Sequence, residues 1–201
     1  MKIIRSQAGF TITELMVVIA ISGFLMAAAA TGFSAFFAKF DELNKTMELQ
    51  RDAFNCMQTI KNGIKIGSGL NLRFQGIATA DSVIFLGAQS NTSQSIILYP
   101  PPSDYTHQND FIRIYWDGRY VRETHLYGSV QAPSAEYLFP KPVRGNETYV
   151  TELTFSKANP DGNVAKVIKV DLKAKTLIRK INKKPIYQTI SYSTRMTLSM
   201  R

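Results

Sequence analysis

Between Leu15 and Ala38 the chain runs for 24 residues without a charge, LMVVIAISGFLMAAAATGFSAFFA. At 1.5 Å per residue, a helix of that length reaches about 36 Å, enough to cross a bilayer. The apolar core of a secretory signal is shorter, roughly 7–15 residues, and ends at a cleavage site before a polar chain. This run instead continues into further helix-forming sequence. Lys2 and Arg5, the only charges ahead of the acidic Glu14, orient the N-terminus to the cytoplasm and the rest of the chain to the other side.

Beyond Ala38 the pattern changes. Leu49, Ala53, Cys56, Ile60 and Ile64 recur at spacings of 4, 3, 4 and 4, with Met57 alongside. That is one apolar stripe on a helix. Asp41 and Glu42 precede it, Lys61 and Lys65 suit the C-terminal end of the helix dipole, and Gly67-Ser68-Gly69 supplies a stop. No proline falls between residues 10 and 66. The expectation is one helix of about 57 residues, roughly 85 Å long, apolar all round in its first half and on one side in its second. Gly23 and Gly32 are the points where it could soften.

From Leu70 the period becomes two. Strands are expected at 82–87, 94–99, 111–116, 119–124, 149–156, 164–172 and 176–182, followed by a terminal strand with Ile190, Tyr192, Met196, Leu198 and Met200 on one face. Asp117-Gly118 is a hairpin signal. A two-residue loop there would pair Ile114 with Val121 and set Arg113 against Arg122, so a bulge or longer loop stands as the alternative. The prolines at 100–102 and at Pro140 and Pro142 mark loops, and Asn159-Pro160-Asp161-Gly162-Asn163 marks a turn. Alternation of apolar and polar residues suits an antiparallel sheet with one wet face.

Composition narrows the chemistry. With 201 residues, 45% of them hydrophobic, the chain can bury an ordinary core. Cys56 is the single cysteine, which excludes an internal disulfide and multi-cysteine metal sites. On the apolar stripe it reads as a buried small hydrophobe. His107 and His125 are the only imidazoles, and neither sits in a nucleophile-elbow, HExxH or Cys-His context. The reading is no enzyme, no metal and no cofactor. Asp161 with Asn159 and Asn163 is explained by the turn without calcium.

The N-terminal residues carry a resemblance. A short basic leader ending in Gly9, then Phe10, then Glu14 inside an apolar helix, in the run GFTITEL, resembles the cleavage and methylation signal of type IV prepilins and type II secretion pseudopilins. Over the whole chain, a long helix followed by a β-rich head is similar to the same superfamily. The resemblance implies that prepilin peptidase cuts between Gly9 and Phe10, that Phe10 is N-methylated, and that Glu14 pairs with the N-terminus of a neighbouring subunit during assembly. Within the head, FIRIYWDGRYVRE and KVDLKAKTLIRKI, each taken as strand, tight turn and strand, are similar to patterns in PilW-like minor pilins and J-type pseudopilins.

The resulting expectation is an α+β, type IV pilin-like fold with four parts. Residues 1–9 form a cleaved leader, 10–38 a transmembrane and filament-core helix, 39–66 an amphipathic helix entering the head, and 70–201 a β-rich head. The implied role is a minor pilin or pseudopilin, at the tip or in initiation, of a type IV pilus or type II secretion pseudopilus. Its partners would be prepilin peptidase, other minor and major pilins or pseudopilins, and the inner membrane, with the head periplasmic or extracytoplasmic. The formal charge of +9 and eight basic residues against Asp171 alone between Lys166 and Lys184 offer nucleic acid as a further, less favoured partner. Arg179, Lys180, Lys183 and Lys184 are the candidate DNA contacts; the alternative is a solubilising strand surface. A single-pass envelope protein that never assembles is the other competing reading.

Overall fold

The computed structural model describes residues 10–66, 73–87, 92–101, 110–127, 130–131, 135–142, 147–158 and 166–198. Helix α1 spans Ile12–Asn62. It stops short of the expected residue 66 because Gly63 adopts φ +103°, a left-handed conformation that ends a helix at little cost only in glycine. A Cβ on Gly63 would also run into the backbone of Gln75. Ile64, counted on the helical stripe, lies instead in β1 (Ile64–Ile66), which pairs antiparallel with β2 (Arg73–Gln75). The expected stop at residues 67–69 lies outside the described residues.

The chain divides into two compact units after Asn44. In the first, every described residue from Phe10 to Asp41 is exposed, including Phe24 at 84% and Met26 at 74%. This stretch has no polar face to give to water and no core of its own.

The second unit, from Lys45 onward, contains the rest of α1 and two larger antiparallel sheets. One is built from β3 (Ser82–Leu86), β5 (Ser95–Tyr99), β6 (Phe111–Trp116), β7 (Val121–Tyr127) and β8 (Val130–Gln131) in that order, with β9 (Glu136–Phe139) on β7. The other has the order β12 (Lys184–Thr197), β11 (Val167–Ile181), β10 (Thr148–Lys157) and β4 (Thr92–Ser93). Leu49, Ala53, Cys56, Met57 and Ile60 from α1 form one core with residues of both sheets, among them Leu98, Ile114, Phe155 and Val170. The stripe therefore faces the sheets from Leu49 to Ile60.

Two expectations about the sheets need correcting. The strands placed at 164–172 and 176–182 are one strand, β11. Ile168, Val170, Leu172, Ala174, Thr176 and Ile178 are all buried, so the period of two runs without interruption through Lys173–Lys175, the segment read as a turn. KVDLKAKTLIRKI is consequently not a hairpin. In the β6–β7 hairpin the connection is the longer one. Trp116 pairs with Val121, Ile114 with Glu123 and Arg113 with Thr124, which keeps the two arginines apart. Asp117 Oδ1 accepts the N–H groups of Arg119 (3.0 Å) and Tyr120 (2.7 Å), and Gly118 takes φ +97°. β9 was not foreseen, although its Phe139 is buried in the core. Ile190, Met196 and Leu198 are buried as expected, with Tyr192 partly so, and Met200 lies outside the described residues.

Candidate functional site

The first turn of α1 is organised by its own sequence. Glu14 Oε2 accepts the backbone N–H of Thr11 at 2.9 Å and the Thr11 hydroxyl at 2.9 Å. The Glu14 N–H in return donates to Thr11 Oγ1 at 3.3 Å. This is a capping box, in which a Thr at the N-cap and a Glu three residues on satisfy each other's orphan donors. It lowers the cost of Glu14 in an otherwise apolar helix, because the carboxylate also faces the positive end of the helix dipole. The Thr-x-x-Glu spacing that supplies this partner within the chain was present in the sequence and went unread. Phe10 precedes the cap and is 82% exposed. Gly9, and with it the expected Gly9–Phe10 junction, lies outside the described residues.

The basic residues of β11 and β12 separate into two groups. Along the strand body, Lys169 Nζ pairs with Asp171 at 2.9 Å and Lys173 Nζ with Glu152 at 2.6 Å. Partial burial alone would raise the Asp171 carboxyl, but hydrogen bonds from Ser193 and Lys169, with the charges of Lys169 and Lys173, hold it below its ordinary value. The hydrogen bond and charge of Glu152 raise the Lys173 ammonium. Lys175 lies over the rings of Tyr149 (4.7 Å) and Tyr187 (5.0 Å). These lysines are engaged within the sheet.

Arg179, Lys180, Lys183 and Lys184 are brought together at the end of the β11–β12 hairpin, around a turn in which Asn182 and Lys183 have φ of 50° and 65°. Lys180 reaches Glu147 at 3.3 Å. Among the described residues no ion pair holds Arg179, Lys183 or Lys184.

Other chemistry in the head is local. The Glu123 side chain is fully buried, opposite Glu136 on β9, with His125 Nδ1 3.3 Å away. Burial pushes its carboxyl above the ordinary range, His125 works against that, and the charge of Glu136 adds to it. Burial also pushes the Cys56 thiol up to about 12. A cavity of about 370 Å³ is walled in part by Lys45, Glu48, Asp52, Glu147 and the buried Thr148–Thr176 hydroxyl pair at 2.7 Å. Among the described residues, no group of three or more His, Cys, Asp or Glu side chains is placed to hold a metal ion. His107 and the 159–163 turn lie outside them.

Residues 4–30 match the model of the prokaryotic N-terminal methylation motif. Compared with curated proteins and with solved structures, the chain has no significant match. The motif covers Gly9, Phe10, Glu14 and the first two thirds of the apolar run, and it indicates a structural subunit rather than an enzyme. A methylation motif at the head of a helix long and apolar enough to cross a membrane, with antiparallel sheet packed on the end of that helix, marks a type IV pilin-type protein.

Proposed function

We propose that this chain is a minor pilin or pseudopilin, a subunit without enzymatic activity that assembles through α1 into a type IV pilus or a type II secretion pseudopilus, at the tip or in initiation. Prepilin peptidase cuts between Gly9 and Phe10, Phe10 is N-methylated, and residues 10–38 hold the subunit in the inner membrane with its N-terminus cytoplasmic until assembly. A kinship with PilW-like minor pilins or J-type pseudopilins rests on the β6–β7 hairpin, since the second resembling segment is a single strand.

The observation that carries this reading is the conjunction of the 4–30 motif with a helix exposed on every side from Phe10 to Asp41. So large an apolar surface needs lipid or neighbouring subunits around it. Glu14 then has two alternative partners. In the single chain Thr11 satisfies it; in the filament the N-terminal ammonium of an adjacent subunit takes its charge.

Mass spectrometry of the mature protein should find N-methyl-phenylalanine at Phe10. A mature chain still beginning at Met1, in a host with an active prepilin peptidase, would sink the proposal. Glu14→Val tests the assembly role separately. It should be cleaved normally yet lose cysteine crosslinking to neighbouring subunits, and unchanged crosslinking would remove Glu14 from the assembly contact.

A further inference from the structure

We propose that a cavity of the head beside Arg113 is a binding site for a carboxylated sugar of the uronic-acid class. All of its walls belong to the second unit, so the site stands whether or not the chain joins a filament.

The register of the sheet builds the site. β5 and β6 pair with Ser95 opposite Tyr115 and Ile97 opposite Arg113, which puts Ser95, Arg113 and Tyr115 on one face with Ser95 diagonal to Arg113. Arg113 uses both neighbours. Its Nε donates to Ser95 Oγ at 3.0 Å, and its guanidinium carbon lies 4.9 Å from the centroid of the Tyr115 ring. Those two contacts fix the guanidinium and leave its terminal NH₂ groups to a ligand, with no ion pair holding them among the described residues. The other arginine of this face is committed. Arg122, opposite Tyr115, reaches Asp117 at 3.6 Å, the carbonyl of Ala135 at 3.3 Å and the ring of Tyr137 at 4.4 Å.

Around Arg113 the walls are polar and aromatic. The cavity has a volume of about 520 Å³, in the range that holds small ligands, and is lined by Arg113 with Gln94, Tyr115, Trp116 and Thr154 among others. None of the described residues that line it is acidic, so its one charge is positive. Gln94 and Thr154 make no side-chain hydrogen bond among the described residues. The backbone N–H of Trp116 donates to the Gln94 carbonyl at 3.1 Å, and the indole packs against the core. Its Nε1 is buried and has no hydrogen-bond partner among the described residues. An indole nitrogen is a donor only, and burying it unpaired costs stability. A ligand oxygen supplies the acceptor.

This set of groups selects the ligand. A planar guanidinium with two free NH₂ groups takes a carboxylate through two parallel hydrogen bonds. Hydroxyl and amide side chains take sugar hydroxyls, and aromatic walls take the apolar face of a ring. A phosphodiester chain asks for several cations along its path, and here there is one. An extended peptide asks for a free strand edge, whereas β5 and β6 are each paired on both sides.

Trp116 is the only tryptophan in the chain, so its fluorescence reports on this cavity alone. The test titrates the full chain, in micelles of a sugar-free detergent, with sodium glucuronate and sodium galacturonate. At least one of the two should change the fluorescence saturably, with a Kd of about 1 mM for a ligand of this size. Glucose and acetate should not. Arg113→Gln should weaken binding about ten- to hundredfold, and Arg113→Lys, which keeps the charge without the fork, should not restore it. Arg113 is exposed, so both variants should melt as the parent does. A flat response to both uronates overturns the proposal, as does a response that Arg113→Gln leaves unchanged. Parent-like binding by Arg113→Lys overturns the two-bonded contact to the carboxylate. Glucose as effective as the uronates removes the guanidinium from recognition, and acetate as effective removes the sugar. Tighter binding of an aspartate-rich peptide than of either uronate, lost in the same variants, replaces the sugar by protein.

Discussion

The two stretches of α1 are one helix by hydrogen bonding and two different objects by environment. From Leu49 to Ile60 the apolar residues are spaced to fall on one side, and Ala53 and Ile60 have no exposed surface at all. From Ile12 to Phe40 apolar residues occur all round, and Ile12, Phe24 and Met26 are each more than 70% exposed. The same backbone thus carries two instructions. A stripe of apolar positions specifies a partner within the chain, whereas a full cylinder of them specifies a solvent or an assembly outside it.

The sharpest way to break that comparison is to make the same deletion in both stretches. Ile60→Ala should open a cavity between α1 and both sheets and cost about 2–5 kcal/mol of head stability. Ile19→Ala, where the parent side chain is 63% exposed, should leave the head's thermal unfolding unchanged in detergent micelles. A comparable loss from the second variant would show that the units do not behave independently.

How much of this could be read in advance follows from the same contrast. The long apolar helix and the methylation motif over residues 4–30 were legible because they depend on composition over a run and on spacing in one short segment. The stripe was legible because helical period survives any tertiary context. Its end was not, because the Lys61, Lys65 and Gly67-Ser68-Gly69 signals outweighed a lone glycine; what makes Gly63 decisive is the backbone of Gln75 against it, a contact twelve residues away in sequence. β11 was split because Lys173, Ala174 and Lys175 look like a turn when taken alone. In the sheet Ala174 faces the core and the lysines find Glu152, Tyr149 and Tyr187, partners on neighbouring strands. The tip of the β11–β12 hairpin is legible as a basic cluster, whereas the bond from Lys45 to the carbonyl of Ile178, farther down the hairpin, is a tertiary fact.

The helix end offers a second test. Gly63→Ala should destabilise the head by about 1–3 kcal/mol, through strain at a positive φ and displacement of β2. Thermal unfolding should register this loss with the exposed helical surface from Ile12 to Phe40 unaffected. Unchanged melting would mean that the junction between α1 and β1 tolerates a different path.

A smaller effect concerns a charge that only the head has to bury. Because the Glu123 carboxyl is raised above its ordinary 4.5 in the folded chain, the folded state binds its proton more tightly than the unfolded one. Its contribution to stability is therefore full below the ordinary value and is lost as pH rises through the raised one. Glu123→Gln should increase the melting temperature at pH 8, with the gap closing as the pH falls toward 4.5. A gap that widens toward acid would show that the pairing with His125, rather than burial, dominates at this site.

The smallest expected effect tests the opposite end of the helix, where stability is purely local. Thr11→Val removes the hydroxyl that donates to Glu14 and accepts from its N–H, while the backbone N–H of residue 11 can still reach the carboxylate. Loss of an N-cap hydroxyl costs about 0.5–2 kcal/mol of helix stability. Every described residue of this turn is exposed, so the loss is expected to leave the sheets unchanged. Hydrogen exchange of the amides just after residue 11, followed in micelles, should accelerate by about two- to thirtyfold, with exchange at Leu49–Ile60 and the melting of the head unchanged. The sequel is a change in assembly. A Glu14 carboxylate that has lost part of its internal partner is more available to the ammonium of a neighbour, so crosslinking between subunits should rise or hold in Thr11→Val where it falls in Glu14→Val. If Thr11→Val loses crosslinking as fully as Glu14→Val, the cap and the assembly contact are one structure, and the picture of Glu14 passing from one partner to the other is wrong.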